Sequence, residues 1–77
     1  MSSWCFETYQ TEHKKNPNWH ITADYCWNKC EPYSVFVGVF DNKGVHIKTL
    51  FKSYYANKES AKRSFQRQVR KIKKGDY

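Results

Sequence analysis

The chain has 77 residues, a formal charge of +7 and 18% aromatic residues, with five Phe, six Tyr and three Trp against one Leu. That length allows one domain at most, because a chain so short buries only about 60% of the surface its unfolded form exposes. The aromatic share argues against disorder, and no apolar run approaches the roughly 18 residues of a membrane span.

Residues 3–10 read as a strand, with Trp4 and Phe6 pointing one way and Cys5 and Tyr9 the other. A polar stretch then ends in the turn signal Asn16-Pro17-Asn18. In residues 19–27, Trp19, Ile21, Ala23, Tyr25 and Trp27 alternate with His20, Thr22, Asp24 and Cys26, the period of a half-buried strand. After a break from Asn28 to Pro32, residues 33–40 form the strand richest in β-branched and aromatic side chains, which suits a central place in a sheet. Gly38 within it suggests a bulge or a close backbone approach.

Asp41-Asn42-Lys43-Gly44 is a hairpin turn, and residues 45–52 return from it with Val45, Ile47, Thr49 and Phe51 expected on one face. Tyr54-Tyr55-Ala56 is expected as a link. The spacing predicts a helix over 57–74, with Asn57 as N-cap, Glu59 in the first turn and Gly75 as the stop. Ala61, Phe65, Val69 and Ile72 fall within an arc of roughly 80° and supply its apolar stripe. The fold class is therefore α+β: a small antiparallel sheet of three to four strands, with one C-terminal basic amphipathic helix on one face, in a single domain over 1–77.

The charge is concentrated. Residues 57–77 carry Lys58, Lys62, Arg63, Arg67, Arg70, Lys71, Lys73 and Lys74 against Glu59 and Asp76, a net +6; residues 1–56 carry six basic and five acidic residues, a net +1. Between Lys62 and Lys74 there are seven basic residues and no acid. Such a face neutralises phosphates and releases their counterions, which points to nucleic acid or a ribonucleoprotein as partner. The contact residues are expected to be Lys62, Arg63, Arg67, Arg70, Lys71, Lys73 and Lys74. The same charge on a solvated face would serve solubility alone.

Fourteen rings exceed what one small core takes up. Some should be exposed to stack bases or to act as protein hot spots. Tyr33, Tyr54 and Tyr55, near strand ends, are the first candidates.

The odd number of cysteines fits reduced thiols and, with the polar amino terminus, an intracellular, cytoplasmic chain. Cys26 and Cys30 are spaced as zinc ligands can be, and Cys5 with His20 (or His13) would complete a zinc set. Along a strand, however, Cys26 and His20 stand about 20 Å apart. No cofactor is therefore expected. Phosphate-loop, metalloprotease and nucleophile-elbow motifs are absent, and the three histidines stand apart, so no enzymatic activity is expected.

The segment from Val35 to Lys74 runs strand, tight turn, strand, then a helix opening Asn57-Lys58-Glu59-Ser60-Ala61-Lys62-Arg63. In that order it resembles the sheet-plus-helix modules by which phage-type integrases grip DNA. The resemblance covers about half the chain and implies a three-stranded sheet in the major groove. It carries over no functional residue, and the half holding Trp4, Trp19 and Trp27 has no counterpart in it.

Two functions follow as expectations. One is a non-enzymatic basic module that contacts nucleic acid or a ribonucleoprotein through its last helix. The other is a small inhibitor or adaptor of phage or mobile-element type, docking on an acidic patch of a host protein such as defence or transcription machinery. Neither partner is a membrane. An unpaired sheet edge would also allow a homodimer.

Overall fold

A computed structural model of the chain describes residues 3–28 and 32–77. Four strands, β1 (Ser3–Glu12), β2 (Trp19–Asn28), β3 (Tyr33–Asp41) and β4 (His46–Tyr55), are followed by one helix, α1 (Lys58–Lys74). Each strand pairs antiparallel with the next, so the spatial order is β1-β2-β3-β4 and the edges are β1 and β4. The α+β architecture expected from the sequence is thus present.

The connections follow from local chemistry. In the first, the buried His13 ring accepts hydrogen bonds at Nδ1 from the backbone N–H groups of Lys15 (3.1 Å) and Asn16 (3.2 Å), and its backbone N–H donates to the Trp19 carbonyl at 2.9 Å. In the β3–β4 turn, Asp41 Oδ1 accepts from the N–H groups of Lys43 (2.8 Å) and Val45 (2.9 Å), while Gly44 takes the positive φ of 82° that closes the hairpin.

Alternation along β2 is regular, and Ile21, Ala23 and Tyr25 are buried beneath α1 with Val35, Val37 and Val39 of β3. From the helix, Ala61, Phe65 and Ile72 complete this core, and Val69 packs at its margin. Asn57 caps the helix through its side chain, which accepts from the N–H of Glu59 at 2.8 Å, and Gly75 ends it. Tyr55 donates its hydroxyl hydrogen to Ser64 Oγ at 2.7 Å, linking the end of β4 to the second turn of α1.

Three features depart from the expected pattern. Cys5 pairs with Cys26 and Glu7 with Tyr25, so Phe6 is an extra residue in β1. This bulge shifts the phase, and Tyr9 joins Trp4 and Phe6 on the helix side instead of sharing the face of Cys5. In β4, Phe51 pairs with Val37 and Thr49 with Gly38, which skips Leu50; Lys48 pairs with Val39 and His46 with Phe40, which skips Ile47. Val45, Ile47, Thr49 and Phe51 therefore do not share a face. Finally, Tyr54 and Tyr55 belong to β4, paired with Ser34 and Tyr33, and do not form a link.

The cysteines require a correction as well. Cys5 and Cys26 are not reduced thiols but are joined by a disulfide across directly opposed positions of β1 and β2. Their sulfurs are then unavailable as thiolate ligands, so the set Cys5, His20, Cys26 and Cys30 does not form a zinc site. Cys30 lies outside the described residues. Among the described residues no group of three or more His, Cys, Asp or Glu gathers to hold a metal.

Candidate functional site

α1 lies over β2 and β3, reaches β4, and touches β1 least. Its buried stripe is formed by Ala61, Ser64, Phe65, Gln68 and Ile72. The remaining circumference carries the charge, and Lys62, Arg63, Arg67, Arg70, Lys71, Lys73 and Lys74 are all exposed. Residues three and four apart share a flank of a helix. Lys58, Lys62, Gln66, Val69, Arg70 and Lys73 therefore line the flank toward β1. Arg63, Arg67 and Lys74 form the crest, and Lys71 lies toward β4.

Because α1 leaves β1 uncovered, a cleft of about 460 Å³ opens between them. Glu7, Thr8 and Tyr9 line one wall, and Phe65, Gln66, Val69, Arg70 and Lys73 line the other. The Lys73 ammonium lies 5.5 Å from the centre of the Tyr9 ring. Beyond it, Lys14 Nζ donates to the Lys73 carbonyl, so a further cation closes this end of the seam.

At the other end stands a cluster of rings. Trp4 and Trp27 stack with centroids 4.4 Å apart, and Phe6 meets Trp4 edge-on at 6.1 Å. Phe6 also contacts Tyr25 at 4.9 Å and Tyr33 at 6.3 Å. Trp4 remains 55% exposed and Phe6 37%. The Lys58 ammonium sits 4.7 Å from the Phe6 ring centre, a favourable cation–π distance. The Cys5–Cys26 bridge is the neighbouring cross-strand pair to Trp4–Trp27, and it fixes the two strands where the rings project.

The tyrosines singled out from the sequence fall in different places. Tyr33 and Tyr55 are half-buried and pack against the core. Tyr54 is 44% exposed, but on the sheet face away from α1, with the Lys52 ammonium 5.5 Å from its ring centre. Tyr33 touches the ring cluster through Phe6 and Tyr55 reaches α1 through Ser64, but neither is exposed beside the basic residues, and Tyr54 faces away. The rings that converge with the basic helix are Trp4, Phe6, Trp27 and Tyr9. The expected pairing of Trp4 and Phe6 on one side of β1, together with the excess of rings over core volume, was the available signal.

The sheet face opposite α1 mixes polar and aromatic groups. Thr8 donates to Asp24 Oδ1 at 2.9 Å, and the His46 ring lies 5.3 Å from Phe40 and 6.2 Å from Phe36. Among the described residues no helix is long and apolar enough to cross a membrane.

No protein-family model matches the chain, and neither the curated proteins nor the solved structures searched contain a match to it.

Proposed function

We propose that the chain is a non-enzymatic basic module that binds nucleic acid, free or within a ribonucleoprotein, through the outer face of α1. The observation that carries this reading is the exposure of Lys62, Arg63, Arg67, Arg70, Lys71, Lys73 and Lys74 along a helix whose other face is buried, with no acid among them. Solubility is best served by a surface with both signs interspersed, whereas beyond Glu59 in its first turn the exposed face of α1 carries one sign only. Contacts of this kind go to phosphates, so they position a ligand without reading its sequence.

The test is fluorescence anisotropy of labelled oligonucleotides titrated with the protein from about 50 to about 200 mM salt. Replacing Arg63 and Arg67 together by Gln should weaken binding and reduce the salt slope by about 1.4 on single strands or about 1.8 on duplex. An unchanged affinity and slope would defeat the reading.

A second reading draws on the exposed Trp4 and Phe6, because Trp and Arg are enriched at protein hot spots. On it, the chain is an inhibitor or adaptor of phage or mobile-element type that docks on an acidic surface of a host protein. A captured protein partner that survives nuclease treatment, and is lost on Trp4→Ala but not on Arg63→Gln, would favour it. Partners of either kind are cytoplasmic, but the Cys5–Cys26 bridge is of a kind rare in that compartment and removes the reduced-thiol ground for placing the chain there.

A further inference from the structure

We infer that the seam between β1 and α1 is a binding track for single-stranded nucleic acid, with a base stacked on Trp4, which Phe6 supports edge-on, and the backbone held by Lys58, Lys62, Arg70 and Lys73. This rests on the nucleic-acid reading of α1 and specifies both the strandedness of the ligand and a base-contacting site.

Two observations converge. Solvent-exposed rings stand at one end of the seam, with Trp4 held by its stack on Trp27. A row of cations runs along its helix side, two of them over rings: Lys58 at Phe6 and Lys73 at Tyr9. Rings beside a basic groove are what a single strand requires, because its bases are unpaired and offer their faces. A duplex keeps its bases stacked on one another and would offer none to the exposed Trp4.

Glu7 sets the polarity of the track. It is the one acid among the residues lining the cleft. A carboxylate repels phosphate and accepts hydrogen bonds from base amino groups. The bases therefore lie over β1, and the sugar–phosphate backbone lies along α1. From Trp4 to Tyr9, four pairing steps once the Phe6 bulge is allowed for, the strand advances roughly 13 Å, a length that suits a short oligonucleotide.

The experiment uses the full chain with its disulfide intact. A labelled single strand of about ten nucleotides, within the site sizes of single-strand binders, is titrated as DNA and as RNA. The same sequence is then titrated as duplex. Tryptophan fluorescence is recorded beside anisotropy. The single strand should quench tryptophan emission and bind at least about tenfold tighter than the duplex. Trp4→Ala should lose roughly ten- to hundredfold in single-strand affinity, the range for loss of one stacked base. Its salt slope should stay unchanged. Trp4→Tyr should restore most of the affinity, and Phe6→Ala gives a second, independent reading if Trp4→Ala fails to fold.

Equal affinity for duplex and single strand, or full affinity in both Trp4→Ala and Phe6→Ala, would overturn the track. The binding by α1 would survive either result if Arg63→Gln with Arg67→Gln still lowered the salt slope. Absence of binding to all of these oligonucleotides at about 50 mM salt would overturn both proposals.

Discussion

Cys5 and Cys26 are opposed across β1 and β2 and covalently joined, in the register position next to the stacked pair Trp4 and Trp27. The bridge spans 21 residues of sequence and includes the His13 turn within its loop. It therefore ties the edge strand to the sheet at the end away from that turn.

Removing the bridge should destabilise the fold through the entropy returned to the unfolded chain. For a loop of this length the chain-entropy relation gives about 3 kcal/mol. Denaturant unfolding with and without reductant, and of a Cys5→Ala and Cys26→Ala double variant, measures it. The double variant should unfold at a lower denaturant concentration and show no further response to reductant. Identical midpoints for all samples would show that the bridge adds nothing to stability.

Gly38 and Phe36 should be coupled. A Cβ at Gly38 would stand 2.7 Å from Cε1 and Cζ of the Phe36 ring and 3.2 Å from Cε1 of Phe40. Gly38→Ala therefore displaces a ring, at about 1–3 kcal/mol for an overpacked site. In a Phe36→Ala background the nearer obstruction is gone, and only the edge of the Phe40 ring has to give by a few tenths of an ångström. The same substitution should then cost less than in the parent, the gain of about 0.5–1 kcal/mol from alanine's smaller loss of backbone freedom offsetting the shift of Phe40. A double-mutant cycle reads this coupling, and additive effects would exclude the ring as the obstacle.

Alkaline pH should weaken the fold through Tyr25 and Tyr77. Burial raises the Tyr25 phenol above its ordinary value, and the negative charges of Glu59, Tyr33 and Glu7 add to the shift. Burial, then Asp76, raises Tyr77. The folded state thus holds these protons more firmly than the unfolded chain, whose tyrosines titrate near about 10. Their contribution to stability is complete below that value and is lost as pH rises through the folded-state values. Unfolding midpoints measured from about pH 9 upward should fall, and the fall should be shallower in Tyr25→Phe. A Tyr25→Phe variant with the same pH dependence as the parent would contradict this.

Much of the fold is legible in the sequence, for reasons that differ by element. α1 combines a complete apolar stripe with both caps, so Asn57, Ala61, Phe65, Ile72 and Gly75 all appear where their spacing put them. β2 reads correctly because its odd positions alternate without interruption from Trp19 to Trp27. β1 and β4 read less well because bulges reset their phase, and a bulge is decided by cross-strand pairing that one strand's sequence does not reveal. At Phe6 the shift moved Tyr9 to the other face. At Leu50 and Ile47 it divided residues that simple alternation had grouped.

The cysteines misled for a related reason. An odd count says nothing about which two become neighbours, and it is the pairing of β1 with β2 that opposes Cys5 and Cys26. The basic face of the candidate site was visible in composition alone. Its cleft was not, because that depends on α1 settling over β2 and β3 and leaving β1 bare.

The order of the elements along the chain bears on how the protein is made. All four strands precede the helix that covers them. As the polypeptide emerges from the ribosome, the meander has its pairing partners in sequence, yet Ile21, Ala23, Tyr25, Val35, Val37 and Val39 have no cover until α1 has followed them. A product terminated before Lys58 would present that apolar sheet face to water. Such an unfinished chain is a candidate for aggregation and for chaperone capture, and the seventeen-residue helix is the step that covers the sheet.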